Sequence, residues 1–472
     1  MRLGALGRAL GRGDDLEEIR SAMVESRRIG GAAPHGDSLL SWLAQAVNSC
    51  MRGGAACHSV YVAVLRSRRM VKRLGMYVRR SIVTEAINGD RGCIKYVGYY
   101  DTPENERESR RYLMSAASKM DYISSLIKRI GFDVLIVSRS STTGRRFFPG
   151  KRIQLDEQLA LMLFPTLPWG GLIKKAISLV FANLTMFFYL VLKTTPGEPV
   201  IVYHSPGLMR VVRYAKKVRN FKLILEVEEI YQDVQPLGRS GERAERAVLG
   251  MADGFIFSTE LLEDSVNPEH KPSIVIYGNY DIQPESGLAF SDGKRHAVYA
   301  GTFDPIKGGA AIAVAAARFL DGGYHIHIIG FGSVHDTVQL QREIGEVSKV
   351  SKCTVTLDGQ LSGREYVTFL QKCDIGLSTQ QPTGKFNQSS FPSKIVSYLA
   401  NGLHVVSVPL LAVDNCGLAR CIVFSEGSEP KAIAEAVRSI DTSELPMGRE
   451  VLTGLDAQLL EDVTALLSLV QG

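Results

Sequence analysis

The run Phe386-Asn387-Gln388-Ser389-Ser390-Phe391-Pro392-Ser393-Lys394 has the residue types to hold an anion. Small hydroxyls and a proline stand at the start of an apolar-periodic helix, Ile395 to Gly402, with a lysine in its first turn. Proline suits that position because its missing N–H would be an orphan anyway. Exposed N–H groups and the helix dipole favour negative charge there, and Lys394 adds a full positive charge. Asn401-Gly402 ends the helix, and Val405 to Val408 follows as a strand. Such a loop, helix and strand suit a diphosphate of the nucleotide-sugar type. An ordinary capped helix in an α/β domain is the competing reading of this segment taken alone.

A second loop of the same kind lies upstream. His296 to Ala300 reads as a strand, and Gly301-Thr302-Phe303-Asp304-Pro305-Ile306-Lys307-Gly308-Gly309 follows, then a helical run from Ala310 to Leu320. Glycines let backbone approach a ligand closely, and Lys307 sits just before the helix. The strand Ile326 to Ile329 leads into the turn Gly330-Phe331-Gly332, and Val355 to Leu357 into Asp358-Gly359-Gln360-Leu361. A helix from Arg364 to Cys373 leads to the strand Ile375 to Ser378. This alternation predicts a parallel, doubly wound sheet, with ligands outside the carboxyl ends of its strands.

The preceding half predicts a second α/β domain. Its strands are Cys93 to Tyr100, opening into a loop, then Asp133 to Ser138, Val200 to Tyr203, Lys222 to Leu225, Ala252 to Ser258 and Ser273 to Tyr277. His204 stands at the end of the third, either facing a substrate or bonded to neighbouring backbone. Glu228 and Glu229 follow the fourth; they suit orienting a hydroxyl or acting as a base, or simply a solvated loop. Tyr100 and Asp101 are candidates to line the same side. The expected boundaries are a domain over 93–281, a Gly/Ser/Pro-rich linker over 282–295 and a domain over 296–472.

From about Ile94 to Leu467 the order of elements, with G-T-F-D-P-I-K-G-G, G-F-G, D-G-Q-L and F-P-S-K-I-V-S-Y-L-A-N-G in sequence, resembles a GT-B glycosyltransferase. It is similar to the large retaining bacterial family that builds capsules, O-antigens and exopolysaccharides. The resemblance implies two Rossmann-like domains facing a cleft. It implies that Lys307 and Lys394 grip the donor diphosphate, that Gly301 and Thr302 bind the donor, and that the G-F-G turn of Gly330, Phe331 and Gly332 and the loop with Gln360 and Leu361 hold base and ribose. Asn387, Ser389, Ser390, Phe391, Pro392 and Ser393 would meet the donor, with His204, Glu228, Glu229, Tyr100 and Asp101 toward the acceptor. One departure stands out: two family glutamates fall here on Ser389 and Ser397. That leaves room for a different donor, or for a catalytically weak subunit partnering an active transferase. A nucleotide-sugar epimerase is a further alternative, disfavoured by the first loop.

A retaining transfer can let the leaving diphosphate take the acceptor proton, so positioning and charge stabilisation carry the chemistry. No cofactor beyond the nucleotide-sugar and no metal site is expected. Gln232-Asp233 and the nearby glutamates lack ligand spacing. Seven scattered cysteines argue against a disulfide framework and for a reducing, cytoplasmic setting.

The net charge of +6 belongs to residues 1–92, which hold 15 Lys or Arg against 8 Asp or Glu; the rest hold 40 against 41. Those residues are expected to be a disordered basic leader, or sequence upstream of a start near Met70 or Met76. No basic-aromatic surface or known module points to nucleic acid. Ala176 to Leu192 is uncharged and would span about 26 Å as a helix, just short of a bilayer crossing. The expectation is a buried or partly lipid-facing helix, with Phe164, Trp169, Phe187 and Phe188 suited to peripheral contact with the inner membrane face. The partners expected are a nucleotide-sugar and a saccharide or lipid-linked acceptor; self-association is left open.

Overall fold

The computed structural model describes residues 92–112, 114–231, 238–305, 309–382, 390–440 and 446–472. The predicted leader and three predicted site residues, Lys307, Asn387 and Ser389, lie outside them.

Among the described residues, fourteen strands form two sheets. The first has the order β3-β4-β2-β1-β5-β6-β7-β8. Its strands are β1 (Cys93–Gly98), β2 (Asp133–Ser138), β3 (Lys151–Gln154), β4 (Leu159–Leu163), β5 (Pro199–Tyr203), β6 (Lys222–Val227), β7 (Gly254–Phe257) and β8 (Ser273–Val275). The pairs from β4 through β2, β1 and β5 to β6 are parallel, and β3 lies antiparallel on β4. Strands β2, β4 and β5 are buried at every position. They read as unbroken apolar runs because helices cover both faces of a parallel sheet. The helices among these strands are α1 (Met114–Arg129), α2 (Gly171–Lys193), α3 (Pro206–Arg219), α4 (Gly238–Leu249) and α5 (Glu260–Val266).

Helix α2 holds the long apolar run. Phe181, Leu184, Met186, Phe187, Phe188, Tyr189 and Leu190 are all buried, and Phe164 packs edge-on against Tyr189. Its polar Asn183 takes the guanidinium of Arg139 at 2.8 and 3.0 Å. The helix is therefore largely core. Of the four aromatics expected to contact lipid, three are buried and only Trp169 is partly exposed. That corrects the expected membrane contact through Phe164, Phe187 and Phe188: their apolar surface is already buried inside the fold.

The second sheet is wholly parallel, in the order β11-β10-β9-β12-β13-β14. Its strands are β9 (Arg295–Thr302), β10 (Tyr324–Phe331), β11 (Thr354–Gly359), β12 (Ile375–Ser378), β13 (His404–Ser407) and β14 (Ile422–Phe424). The helices are α6 (Ala310–Ala316), α7 (Val334–Ser348), α8 (Gly363–Leu370), α9 (Lys394–Asn401), α10 (Leu411–Asp414), α11 (Pro430–Ser439) and α12 (Gly448–Gln471). The chain winds from β9 outward to β11, then returns to β12 on the other side of β9 and winds outward again. The strand order thus reverses between β9 and β12.

By contacts the chain divides into two units. One runs to Glu226 and takes in Leu237–Phe255 and Leu466–Gly472; the other holds Val227–Pro236 and Ile256–Ala465.

Phe188 is fully buried in α2. Phe188→Ala should lower unfolding free energy by about 3–5 kcal/mol, read from the urea midpoint at unchanged slope. A shift near zero would mean that the helix does not pack as described.

Candidate functional site

The reversal between β9 and β12 is where an open α/β sheet leaves a crevice at its carboxyl edge. The two strands pair only through Ile375–Ala297 and Gly376–Val298, then diverge. Beyond that point the backbone N–H of Ala300 has no strand to meet. The phenol of Tyr398 fills the gap, accepting from Ala300 N at 2.7 Å. Tyr398 is fully buried on α9, and its ring lies where Gly376 leaves room: a Cβ there would fall 2.2 Å from it. Ile395, Val396 and Leu399 are buried beside it, so the whole inner face of α9 is anchored.

One helical turn before Tyr398 stands Lys394, the first residue of α9. Its Nζ lies 4.1 Å from the centroid of the Tyr299 ring and 3.2 Å from where a Cβ on Gly301 would be. The helix therefore delivers the ammonium to the end of β9. The Tyr299 hydroxyl closes the loop after that strand from both sides. It donates to Thr302 O at 2.8 Å and accepts from Gly309 N at 3.0 Å. Gly309 packs on the backbone of Thr379, whose Oγ1 donates to Gly309 O at 2.8 Å. Lys307 belongs to the segment between these ties, outside the described residues.

Gly301 and Gly330 face each other in the β9–β10 register. A Cβ on Gly330 would sit 1.8 Å from Gly301 O, and Gly330 has φ +142°, so only glycine fits. Phe303 packs against Gly332, again where a Cβ would collide. Between them the Phe331 side chain is 58% exposed at the strand end, a flat apolar surface beside a polar crevice. Gln360 and Leu361 follow Gly359, the last residue of β11, which turns the chain at φ +82°.

Ser390, Phe391, Pro392 and Ser393 lead into α9. The helix begins at Lys394, two residues after the proline that the sequence places at its first position: Ser393 is its N-cap and makes no side-chain capping bond. Pro392 lies before the cap, where its carbonyl accepts from Ile395 N at 2.9 Å. Phe391 is buried against the Tyr277 ring, at 5.0 Å between centroids. Ser397 shares a 3.1 Å hydrogen bond with the Tyr366 hydroxyl.

The residues expected toward an acceptor are placed differently. His204 is 2% exposed, and its Nε2 lies 3.5 Å from the equally buried Glu245. Its own backbone N–H continues the β5–β6 pairing at Glu226 O. The Tyr100 hydroxyl donates to Asp121 at 2.6 Å, and burial followed by that carboxylate holds the phenol far above its ordinary pKa. Asp101 accepts from Asn105 Nδ2 and from Thr102 N, closing the short turn that follows β1. The polar groups of Tyr100 and Asp101 are thus engaged inside the fold. Glu228 and Glu229 are half-buried after β6, and the Glu228 carbonyl accepts from Ser258 Oγ. A polar group missed in the sequence is Arg139 after β2, which also reaches the Tyr99 hydroxyl at 3.3 Å. No local pattern announced it.

A histidine cluster was missed too. His296 on β9 and His325 and His327 on β10 share one face of the second sheet, with a nitrogen of each ring within 4.8 Å of the others. Burial, then the neighbouring His327 and His296, push His325 down to about 4. The expectation of no metal-ligand constellation needs correcting here. His325-x-His327 in a strand puts both rings on the same face, and the sequence held that signal.

No protein-family model and no curated protein matches the chain by sequence. Solved structures do match. Trehalose-6-phosphate synthase of E. coli, bound with UDP-2-fluoro glucose, aligns over 80% of this chain and 99% of its own, at 12% identity and TM-score 0.58. Sucrose-phosphate synthase from Thermosynechococcus elongatus aligns over 79% and 100%, at 15% identity and TM-score 0.58. The Anabaena protein HepE, in complex with UDP and glucose, aligns over 79% and 96%, at 13% identity and TM-score 0.52. The chain therefore has the GT-B fold, built from two Rossmann-like α/β domains.

The contact between Tyr398 and Gly376 sets a stability test. Gly376→Ala should cost about 1–3 kcal/mol by overpacking. Tyr398→Phe, which strands the Ala300 N–H, should also cost about 1–3 kcal/mol. Both are read by urea unfolding. Neutral values for both would mean that α9 is not keyed to the sheet through this phenol.

Proposed function

We propose that the chain is a glycosyltransferase that moves a sugar from a nucleoside-diphosphate sugar to a saccharide or lipid-linked saccharide. The observation that carries this is Lys394 above the glycine floor of Gly301 and Gly330, at the strand-order reversal of a GT-B fold. The floor admits a diphosphate close to backbone, and the ammonium meets charge that grows as the leaving group departs. The exposed Phe331 suits a base, and the turn at Gln360 and Leu361 suits its ribose. A uridine nucleotide is the preferred donor because two of the matching structures hold UDP or a UDP-sugar.

In this reading the diphosphate takes the acceptor proton and the sugar keeps its configuration. No divalent ion or other cofactor enters the transfer. Lys307, Asn387 and Ser389 complete the donor contacts. Surface polysaccharide assembly on the cytoplasmic face of a membrane is the setting proposed. A second reading has one supporting observation: Ser397, at a position where the resembling family carries glutamate, is tied to Tyr366. A transferase-like partner subunit with weak catalysis of its own would accommodate that.

A melting-temperature panel of UDP-, GDP-, dTDP- and CMP-sugars tests the donor site. One nucleotide class should raise the midpoint, as any ligand of the folded state does, and Lys394→Ala should abolish the rise. With an acceptor found, Lys394→Ala should lower kcat about 100–1000-fold. No shift with any sugar nucleotide would sink the transferase reading and favour the partner subunit.

Gly330→Ala probes the floor separately. It should remove the nucleotide-induced shift while Lys394 stays in place. An unchanged shift would put the diphosphate elsewhere.

A further inference from the structure

On the β9–β10 face, His296, His325 and His327 form the densest group of ligand-type side chains among the described residues. We propose that this cluster binds one divalent transition-metal ion of the zinc type, through one nitrogen from each imidazole. The site is separate from the Lys394 crevice and does not rest on the proposed transferase activity.

Parallel register builds the cluster. His325 pairs with His296 across β10 and β9, and His327 follows two residues on. All three rings therefore stand on one face. His296 Nδ1 and His327 Nε2 point at each other, 2.9 Å apart. Their outer nitrogens are already held: His296 Nε2 by Asp292 at 2.8 Å, and His327 Nδ1 by Asp358 at 3.1 Å. A carboxylate on the far nitrogen is how metal-binding imidazoles are oriented and made more basic. The His325 ring stacks on His327 at 4.0 Å and contacts Thr356 Oγ1 through Nε2 at 3.0 Å.

Size and charge are compatible with an ion. Two zinc–nitrogen bonds of about 2.0–2.1 Å at a tetrahedral angle put the nitrogens about 3.3 Å apart. The facing pair must therefore open by about 0.4 Å, and His325 must swing inward. Asp292 and Asp358 supply two negative charges close by. Lys294, held on Thr354 Oγ1 at 2.8 Å, supplies one opposing positive charge. Three imidazoles leave a fourth position for water, as in three-ligand zinc sites. All-nitrogen ligation selects zinc-type ions over calcium or magnesium.

The ion would tie together pieces distant in sequence. Phe290 stacks on His296 and His327, at 4.1 and 4.9 Å, and Asp292 belongs to the same segment ahead of β9. Asp358 leads directly into the Gly359-Gln360-Leu361 turn. A bound ion would thus fasten the entering segment, β9, β10 and the end of β11 to one another.

The test uses full-length protein treated with chelator, desalted, and titrated calorimetrically with Zn2+. One ion per chain should bind, with the melting temperature rising, while Ca2+ and Mg2+ give neither effect. His325→Ala, at the partly exposed ring, should weaken binding by more than about 100-fold, and Asp358→Asn by about 10–100-fold. The Co2+-loaded wild type gives a second reading that needs no variant: intense visible bands of a tetrahedral nitrogen site are expected. No saturable Zn2+ binding in the wild type would overturn the proposal, as would binding undiminished in His325→Ala or only the weak spectrum of hydrated Co2+. The rings would then be no more than a hydrogen-bonded chain between two carboxylates.

Discussion

The second sheet depends on one tyrosine. A parallel sheet that reverses its winding must separate a pair of neighbouring strands, and separating them strands backbone hydrogen-bonding groups in the interior. Here the stranded group is the N–H of Ala300, and an orphan of that kind costs about 1–3 kcal/mol. Tyr398 meets it with a side chain rather than with backbone. The crevice is thus kept open and its inner wall satisfied by the same atom. Gly376 is the corresponding concession: without a side chain at that point, the ring can lie close against β12.

The position of Lys394 follows from that contact. Residues four apart on a helix share a face, so fixing Tyr398 fixes the lysine one turn earlier. Its ammonium lies over the Tyr299 ring, and among the described residues no ion pair is formed by it. A cation held by an aromatic face keeps its charge available to a ligand; one held by a carboxylate does not. Tyr299 also ties Thr302 and Gly309 at the two ends of the adjoining loop. Two buried phenols, one on β9 and one on α9, therefore shape the crevice from both sides, while glycines clear its floor.

Much of this was legible in the sequence. Strand ends followed by Gly-rich turns, and a lysine opening an apolar helix, are local signals of backbone approach and anion binding. They put Gly301 and Gly330 at strand ends and Lys394 at a helix start without any knowledge of packing. What stayed hidden depends on distant partners. Tyr100, Asp101 and His204 sit at strand ends, as ligand-binding residues do. Yet Asp121, Asn105 and Glu245 draw their polar atoms into the fold, and none of those partners can be deduced from spacing. Arg139 and Asn183 are 44 residues apart, and only the docking of α2 brings them together. Pro392 shows a finer limit. Its place before rather than after the cap depends on the turn closed by Ile395, which a propensity reading does not resolve.

The histidines show how much one pair of strands can carry. Side chains alternate across a strand, so β9 presents Tyr299 and Gly301 on one face and His296 on the other. β10 does the same with Gly330 against His325 and His327. One face is cleared of side chains at its end, as an anionic ligand needs. The opposite face gathers imidazoles, backed by carboxylates from the preceding segment and from β11. The two sets of requirements do not compete, because the pleat separates them. They are nevertheless mechanically joined: anything that stiffens β10 and the end of β11 from the histidine side also steadies the turns at Phe331 and Gln360. A crevice built from strand ends is only as well ordered as the strands behind it, and on this sheet the imidazole face lies directly behind the crevice.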